Sequence, residues 1–298
     1  MTFHHASKII GSFYYFGSIV MVNDPPSLPV QTDGIIESVS ISPPPATGIP
    51  TYYEDWEPIA TAEPVAWDNT YYDNWLSLAN QWGAVDPGWN NSSVDLSTYP
   101  NRTAIFRKVI IKGSTTITGP GTICATGNPN GGDFQTWGNS NVRFVGPVRI
   151  IARGTGNSIT FNGATVFTST PEIIALDSLH ISDTTTTPAD AILYAKGAGG
   201  SNILIDVNAI VGGSILAPYG EVTCKGNGWI RGLVYADSFH TYDRTTLEGG
   251  GIYKNAADFL NDSMAIQNPD VLPPTLPFGL SFEASASSFE VYNWRETY

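Results

Sequence analysis

Gly213-Ser214-Ile215-Leu216-Ala217 is followed 19 residues later by Gly232-Leu233-Val234-Tyr235-Ala236. The two stretches agree further upstream, where Val211 matches Ile230. Working back along the chain, the core of this motif, a mostly apolar pair followed by alanine, recurs. It stands at Leu193-Tyr194-Ala195, Ile173-Ile174-Ala175, Ile150-Ile151-Ala152 and Ile123-Cys124-Ala125. From Ile123 to Val234 the spacings are 27, 23, 20, 22 and 19 residues. Self-similarity at a period near 20 is the signature of a solenoid.

Helical solenoids do not fit, because the segments are short and rich in β-branched residues. Leucine-rich repeats lack their Leu/Asn ladder here. The reading is therefore an all-β, single-stranded β-helix (β-solenoid) with coils of about 19–27 residues. It carries one inserted α-helical excursion and a C-terminal capping tail. Equivalent positions should stack about 4.8 Å apart, the inter-strand spacing of a sheet. Side chains alternate across a strand, so the middle residue of each triplet faces opposite to its neighbours. Aliphatic residues fill every first position. Ile123, Ile150, Ile173, Leu193, Ile215 and Val234 are therefore expected to form one inward ladder beside the alanines, whose small side chains permit a tight corner.

The rest of the organisation follows from composition. The chain has 298 residues, a net charge of −13 and a pI near 4.5. Acidity of this kind argues against nucleic acid or an anionic membrane as a partner, since both need Lys and Arg. No Lys or Arg lies between Lys8 and Arg102, a stretch with 11 acids and five of the eight tryptophans. We read residues 43–104 as an acidic, aromatic-rich excursion, opened by Pro43-Pro44-Pro45 and closed by Pro100. Tyr71, Trp75, Leu78, Ala79 and Trp82 form a stripe at helical period, which predicts a helix near 68–83. Asp68 or Asn69 is the expected N-cap and Gly83 the stop. A helix this short needs a surface to dock on, and Trp75, Leu78 and Trp82 are the expected contacts. The alternative is an aromatic binding platform built from Trp56, Trp67, Tyr71 and Tyr72.

Residues 1–42 are read as N-terminal β-helix coils, with Gly17-Ser18-Ile19-Val20 as a copy of Gly213-Ser214-Ile215-Leu216. Residues 105–254 form the main β-helix. Residues 255–298 are read as a short helix, a Pro-rich crossing and a final strand at Phe289 to Trp294. The apolar run Ile9 to Val22 is too short and too punctuated by Gly and Ser for a transmembrane span. Cys124 and Cys224 fall on coils four steps apart, about 19 Å along the axis, so both are expected as free thiols.

Three segments carry a family resemblance. Gly119-Pro120-Gly121-Thr122-Ile123-Cys124-Ala125-Thr126-Gly127 resembles a "GPGTIVATG" coil, and Gly213 to Pro218 a "GSIxAP" coil. Val291-Tyr292-Asn293-Trp294-Arg295-Glu296 resembles a terminal "SWRE". Together they resemble the β-helical extracellular domain of PilX-N-terminal-type proteins of bacterial type IV pilus assembly. Such proteins usually open on a hydrophobic prepilin-like helix, which this sequence does not show. The resemblance implies a non-enzymatic structural or adhesive component at a bacterial cell surface. Pilin, other pilus components or surface carbohydrate would be its partners, and there is no catalytic residue to carry over.

Enzyme chemistry is not expected on the residues either. The coil acids, among them Asp133, Glu172, Asp177, Asp206 and Glu221, neither sit side by side nor recur at one repeat position, as a glycosidase pair would require. Asp177 and His180 are candidates to meet at one turn. His4, His5, His180 and His240 are too scattered for zinc. Glu54, Asp55 and Glu57 lack the spacing and glycine of a calcium loop. No cofactor is expected. The Thr runs Ser114-Thr115-Thr116 and Thr184 to Thr187 do not recur at the coil spacing, which argues against an ice-binding face. The first alternative is a carbohydrate-binding adhesin module using the aromatic acidic excursion; behind it stand a polysaccharide-active β-helix enzyme and an ice-binding protein.

Overall fold

The computed structural model describes residues 2–4, 8–10, 13–15, 20–22, 36–38, 69–78, 86–126, 133–242 and 244–253. Within them the chain is a parallel β-solenoid of about six turns with a single short helix. Every named strand pairing is parallel. Each coil lays down strands on three faces in turn.

The first face holds the repeated triplet. Gly121–Ala125 pairs with Val148–Ala152, which pairs with Pro171–Ala175 and then Ile192–Ala195. The ladder continues through Ile210–Cys224 into Trp229–Thr241. Ile123, Ile150, Ile173, Leu193, Ile215 and Val234 are in direct register along it, and all are buried. Together with the alanine column they belong to the interior core. Aliphatic side chains of similar size stacked at one spacing pack the interior, which is why the repeat is so strict here.

The second face runs from Val109–Ile111 through Phe134–Thr136, Asn157–Phe161, Ser178–Ile181 and Ser201–Ile205. The third runs from Ser93–Asp95 through Ser114–Thr118, Asn141–Val145 and Ala164–Phe167. Phe134, Phe144, Phe161 and Phe167 fill the lumen where these faces meet, with Phe144 and Phe167 stacked 4.5 Å apart. The corner between the third and first faces is tightest at Gly213 and Gly232. Gly213 has φ +88°, and a side chain on it would run into the Ala191 carbonyl. One on Gly232 would run into the Gly213 carbonyl below.

The solenoid begins earlier than the boundary at 104 suggests. Asn90 bridges to Lys112, Ser93–Asp95 is the first third-face strand, and Thr103–Phe106 the first first-face strand. Between them two short 3-10 turns, Leu96–Thr98 and Pro100–Arg102, replace regular strand. Leu96 is fully buried there, and Trp89, Tyr99 and Phe106 pack edge-to-face beside it. These aromatics pack against the interior core at the lower end.

The N-terminal strands also form coils, but at the opposite end. Thr2–His4 joins the second face beyond Trp229–Thr241, with Thr2 opposite His240. Lys8–Ile10 joins the third face on Thr246–Tyr253, and Phe13–Tyr15 the first face on the same strand. Val20–Val22 then pairs with Thr2–His4, and Ile36–Ser38 with Phe13–Tyr15. The Ile19-Val20 copy of the triplet is thus corrected. Val20 lies on the second face, and Tyr15 is the residue in register with Ile252 and so with Val234. The short helix, Pro-rich crossing and strand expected in 255–298 lie outside the described residues.

Candidate functional site

The helix α1, Thr70–Leu78, lies on the outside of the first face, against the strands Val148–Ala152 and Pro171–Ala175. The solenoid makes this surface apolar. The middle residues of the triplets, Cys124, Ile151, Ile174, Tyr194, Leu216 and Tyr235, point outward, and they form a second buried cluster with Tyr72 and Leu76 of α1. Outward apolar columns on a two-sided sheet need a cover, and α1 supplies it over Val148–Ala152 and Pro171–Ala175.

The docking stripe is rotated by one residue from the one the sequence suggests. Tyr72 and Leu76 are the buried pair, while Tyr71 and Trp75 flank them, partly buried. The reason is visible in the partners. The Tyr72 ring stacks on Tyr194, centroids 3.8 Å apart and planes within 4°. Trp75 takes the Arg149 guanidinium on its face at 3.5 Å, a cation–π contact that holds it at the edge of the seat. The side chain of Leu78, and all of Trp82, lie outside the described residues, as do Trp56, Trp67, Glu54, Asp55 and Glu57.

Polar latches surround this apolar seat. Arg149 and Glu172 occupy the same register position on neighbouring coils, and the Arg149 Nε donates to the Glu172 Oε2. The Tyr71 hydroxyl donates to the other carboxylate oxygen at 2.5 Å and accepts from Arg149 Nη2 at 3.3 Å. Burial, and then the hydrogen bond to Glu172, raise the Tyr71 pKa. Lys196 Nζ reaches Asp73 Oδ1 at 2.6 Å. Asn69, just before the helix, accepts from the Tyr194 hydroxyl at 2.6 Å and donates to the Tyr219 hydroxyl. The Tyr194 pKa is raised by burial first and then by nearby Asp73.

Chemically this is a clasp: the Glu172 carboxylate already meets a guanidinium and a phenol. Tyr72 is not a platform residue, since its ring is fully buried against Tyr194, and the Tyr71 hydroxyl is committed to Glu172. The Arg149–Glu172 pair is the feature that sequence reasoning missed. Its signal was present: Val148-Arg149-Ile150 and Pro171-Glu172-Ile173 put opposite charges at one place before the ladder residue.

Elsewhere, Asp177 and His180 do not pair. Asp177 accepts from the Gly156 backbone N–H, and His180 faces Asp206 of the next coil, Nε2 to Oδ2 3.9 Å, which Lys225 also approaches at 3.3 Å. Burial lowers the His180 pKa, partly offset by Asp206. Cys124 and Cys224 are both free and buried. Burial pushes the Cys124 thiol up to about 12 and raises Cys224 as well. Trp137 is the most exposed large aromatic described, with Lys112 Nζ 3.8 Å from its ring centroid. Among the described residues no group of three or more His, Cys, Asp or Glu gathers as metal ligands would, and no helix is long and apolar enough to cross a membrane.

The class these residues define is a parallel β-solenoid with a helix clasped to one outer face. No family model, curated protein or solved structure matches the chain.

Proposed function

We propose that this chain is a non-enzymatic display body: a stiff structural or adhesive component of a bacterial cell surface or type IV pilus-like system. The observation that carries this reading is the unbroken first-face ladder, Ile123 to Val234, with α1 clasped across its outer side. Stacked parallel strands couple every coil to the next, so load and position pass along the axis with little give. The sequence motifs that resemble pilus-associated β-helices, and the acidic surface poor in Lys and Arg, agree with an exposed setting. A carbohydrate platform on α1 is the weaker reading, because Tyr71 and Tyr72 are engaged by the solenoid itself.

The test is labelling of intact producing cells with an antibody to the solenoid, with and without permeabilisation, and of the filaments sheared from them. The proposal expects labelling of intact cells or of the sheared fraction. Labelling only after permeabilisation would overturn it.

A further inference from the structure

The two ends of the solenoid are built differently. At the lower end Leu96 and Trp89 are buried in the interior core, with Tyr99 and Phe106 packed against it. At the upper end strand is laid on strand. The coil order is third face, first face, second face, and Thr246–Tyr253 supplies the third and first faces of the last described C-terminal coil. Its second-face place is taken by Thr2–His4, a strand more than 200 residues away in sequence. The N-terminal segment then continues the same order: Lys8–Ile10 on the third face, Phe13–Tyr15 on the first, Val20–Val22 on the second. The solenoid is therefore built as a circular permutant of itself. Among the described residues, its last coil is completed by the beginning of the chain.

A closure of this kind is not unique to one copy. The strands Thr2–His4, Lys8–Ile10 and Phe13–Tyr15 are each three residues long and meet the rest of the upper end through backbone pairing. An identical segment from another molecule offers the same groups in the same register. Residues 39–68 separate these strands from α1, a length of chain that reaches up to about 100 Å when extended. Lifting the segment leaves the N–H and C=O groups along Thr246–Tyr253 unpaired, and such an edge seeks another strand.

We propose that the N-terminal strands are an exchangeable cap, and that the upper end of the solenoid is the interface for a second copy of this chain. Each copy completes the last coil of the other with its own strands Thr2–His4, Lys8–Ile10, Phe13–Tyr15 and Val20–Val22. Because the exchange is reciprocal, the product is a closed two-fold pair. The interface does not depend on where the protein is displayed.

Lys8 and Thr246 test it, because they are register partners across the junction. Their Cα atoms, on adjacent strands about 4.8 Å apart, are within disulfide range. The native cysteines are buried and stay out of the reaction. Lys8→Cys and Thr246→Cys are made as separate proteins, mixed at high concentration, incubated and oxidised. The double variant is oxidised while dilute. The proposal expects a disulfide-linked dimer in the mixture and in neither variant alone. It also expects an intrachain bond in the double variant, which then stays monomeric when concentrated while the parent shows a rising dimer fraction. If the double variant closes on itself but the mixture gives no linked dimer after days, the cap is permanent and the proposal fails. If neither forms a bond, the cap does not sit on Thr246 and the proposal fails equally.

Discussion

Tyr72→Ala is the sharpest probe of the clasp. Tyr72 is fully buried between α1 and the outward column, stacked on Tyr194. A tyrosine buries at least ~150 Å², worth about 4 kcal/mol at ~25 cal/mol per Å². The ring stack adds about 1 kcal/mol. The lumen is untouched, since the interior ladder is a separate cluster. Detachment of α1 should therefore become easier by about three orders of magnitude, at 1.4 kcal/mol per factor of ten, while the solenoid stays folded. The built-in reporter is Cys124, which lies in the same outer cluster as Tyr72, whereas Cys224 lies in the interior. Burial holds the Cys124 thiol at about 12 in the closed state, so it labels only when the cover opens. Under native conditions a thiol reagent should modify Cys124 of Tyr72→Ala up to about a thousandfold faster than in the parent, and leave Cys224 protected. Cys124 labelling at the parent rate would refute the clasp. Labelling of both cysteines together would show global unfolding and refute the separation of the two clusters.

Other outcomes follow from the same contacts. Ile173→Ala, at the middle of the interior ladder, should cost about 2–5 kcal/mol in denaturant unfolding, and a near-neutral midpoint would mean that the column is not packed. Glu172→Ala strips Arg149 and Tyr71 of their shared acceptor and should cost about 1.5–3 kcal/mol. Lys196→Ala, whose ion pair with Asp73 is partly exposed, should cost at most about 1 kcal/mol; equal losses in thermal melts would contradict this ranking. His180 has a folded pKa depressed below its ordinary 6.5 by burial, so the unfolded chain takes up a proton that the folded one resists. Stability should fall as pH drops through and below 6.5. His180→Gln should flatten that part of the melting-temperature profile, and an unchanged slope would exclude His180 as its source.

The first-face ladder was legible because one physical demand, stacked aliphatic side chains in a narrow lumen, repeats at every coil from Ile123 to Val234. The outward character of Cys124, Ile151 and Ile174 followed from strand alternation alone. The placement of residues 2–38 was not legible: coil-like sequence tells that a segment stacks, not on which end, and both ends of a solenoid accept the same strand. The Gly17-Ser18-Ile19-Val20 likeness misled for that reason, since four residues do not fix the face. The helix stripe was off by one because Tyr71, Tyr72, Trp75 and Leu76 are all apolar, and the choice among them is made by Tyr194 and Arg149 on the other side of the contact. The solenoid's early start at Asn90 was hidden because its first coil is closed by Leu96 and two tight turns where later coils have strands.

One registered stack of coils underlies the whole fold, and a distance across it tests that stack most directly. Thr116 and Thr246 are connected by third-face pairings through Arg143, Val166, Thr186, Ile210 and Trp229. Six steps at ~4.8 Å place them about 29 Å apart. Spin labels on Thr116→Cys/Thr246→Cys, measured by pulsed electron–electron resonance, should give one narrow peak near that distance. A peak beyond about 40 Å, or a broad spread without a maximum, would mean that the coils do not stack in this register.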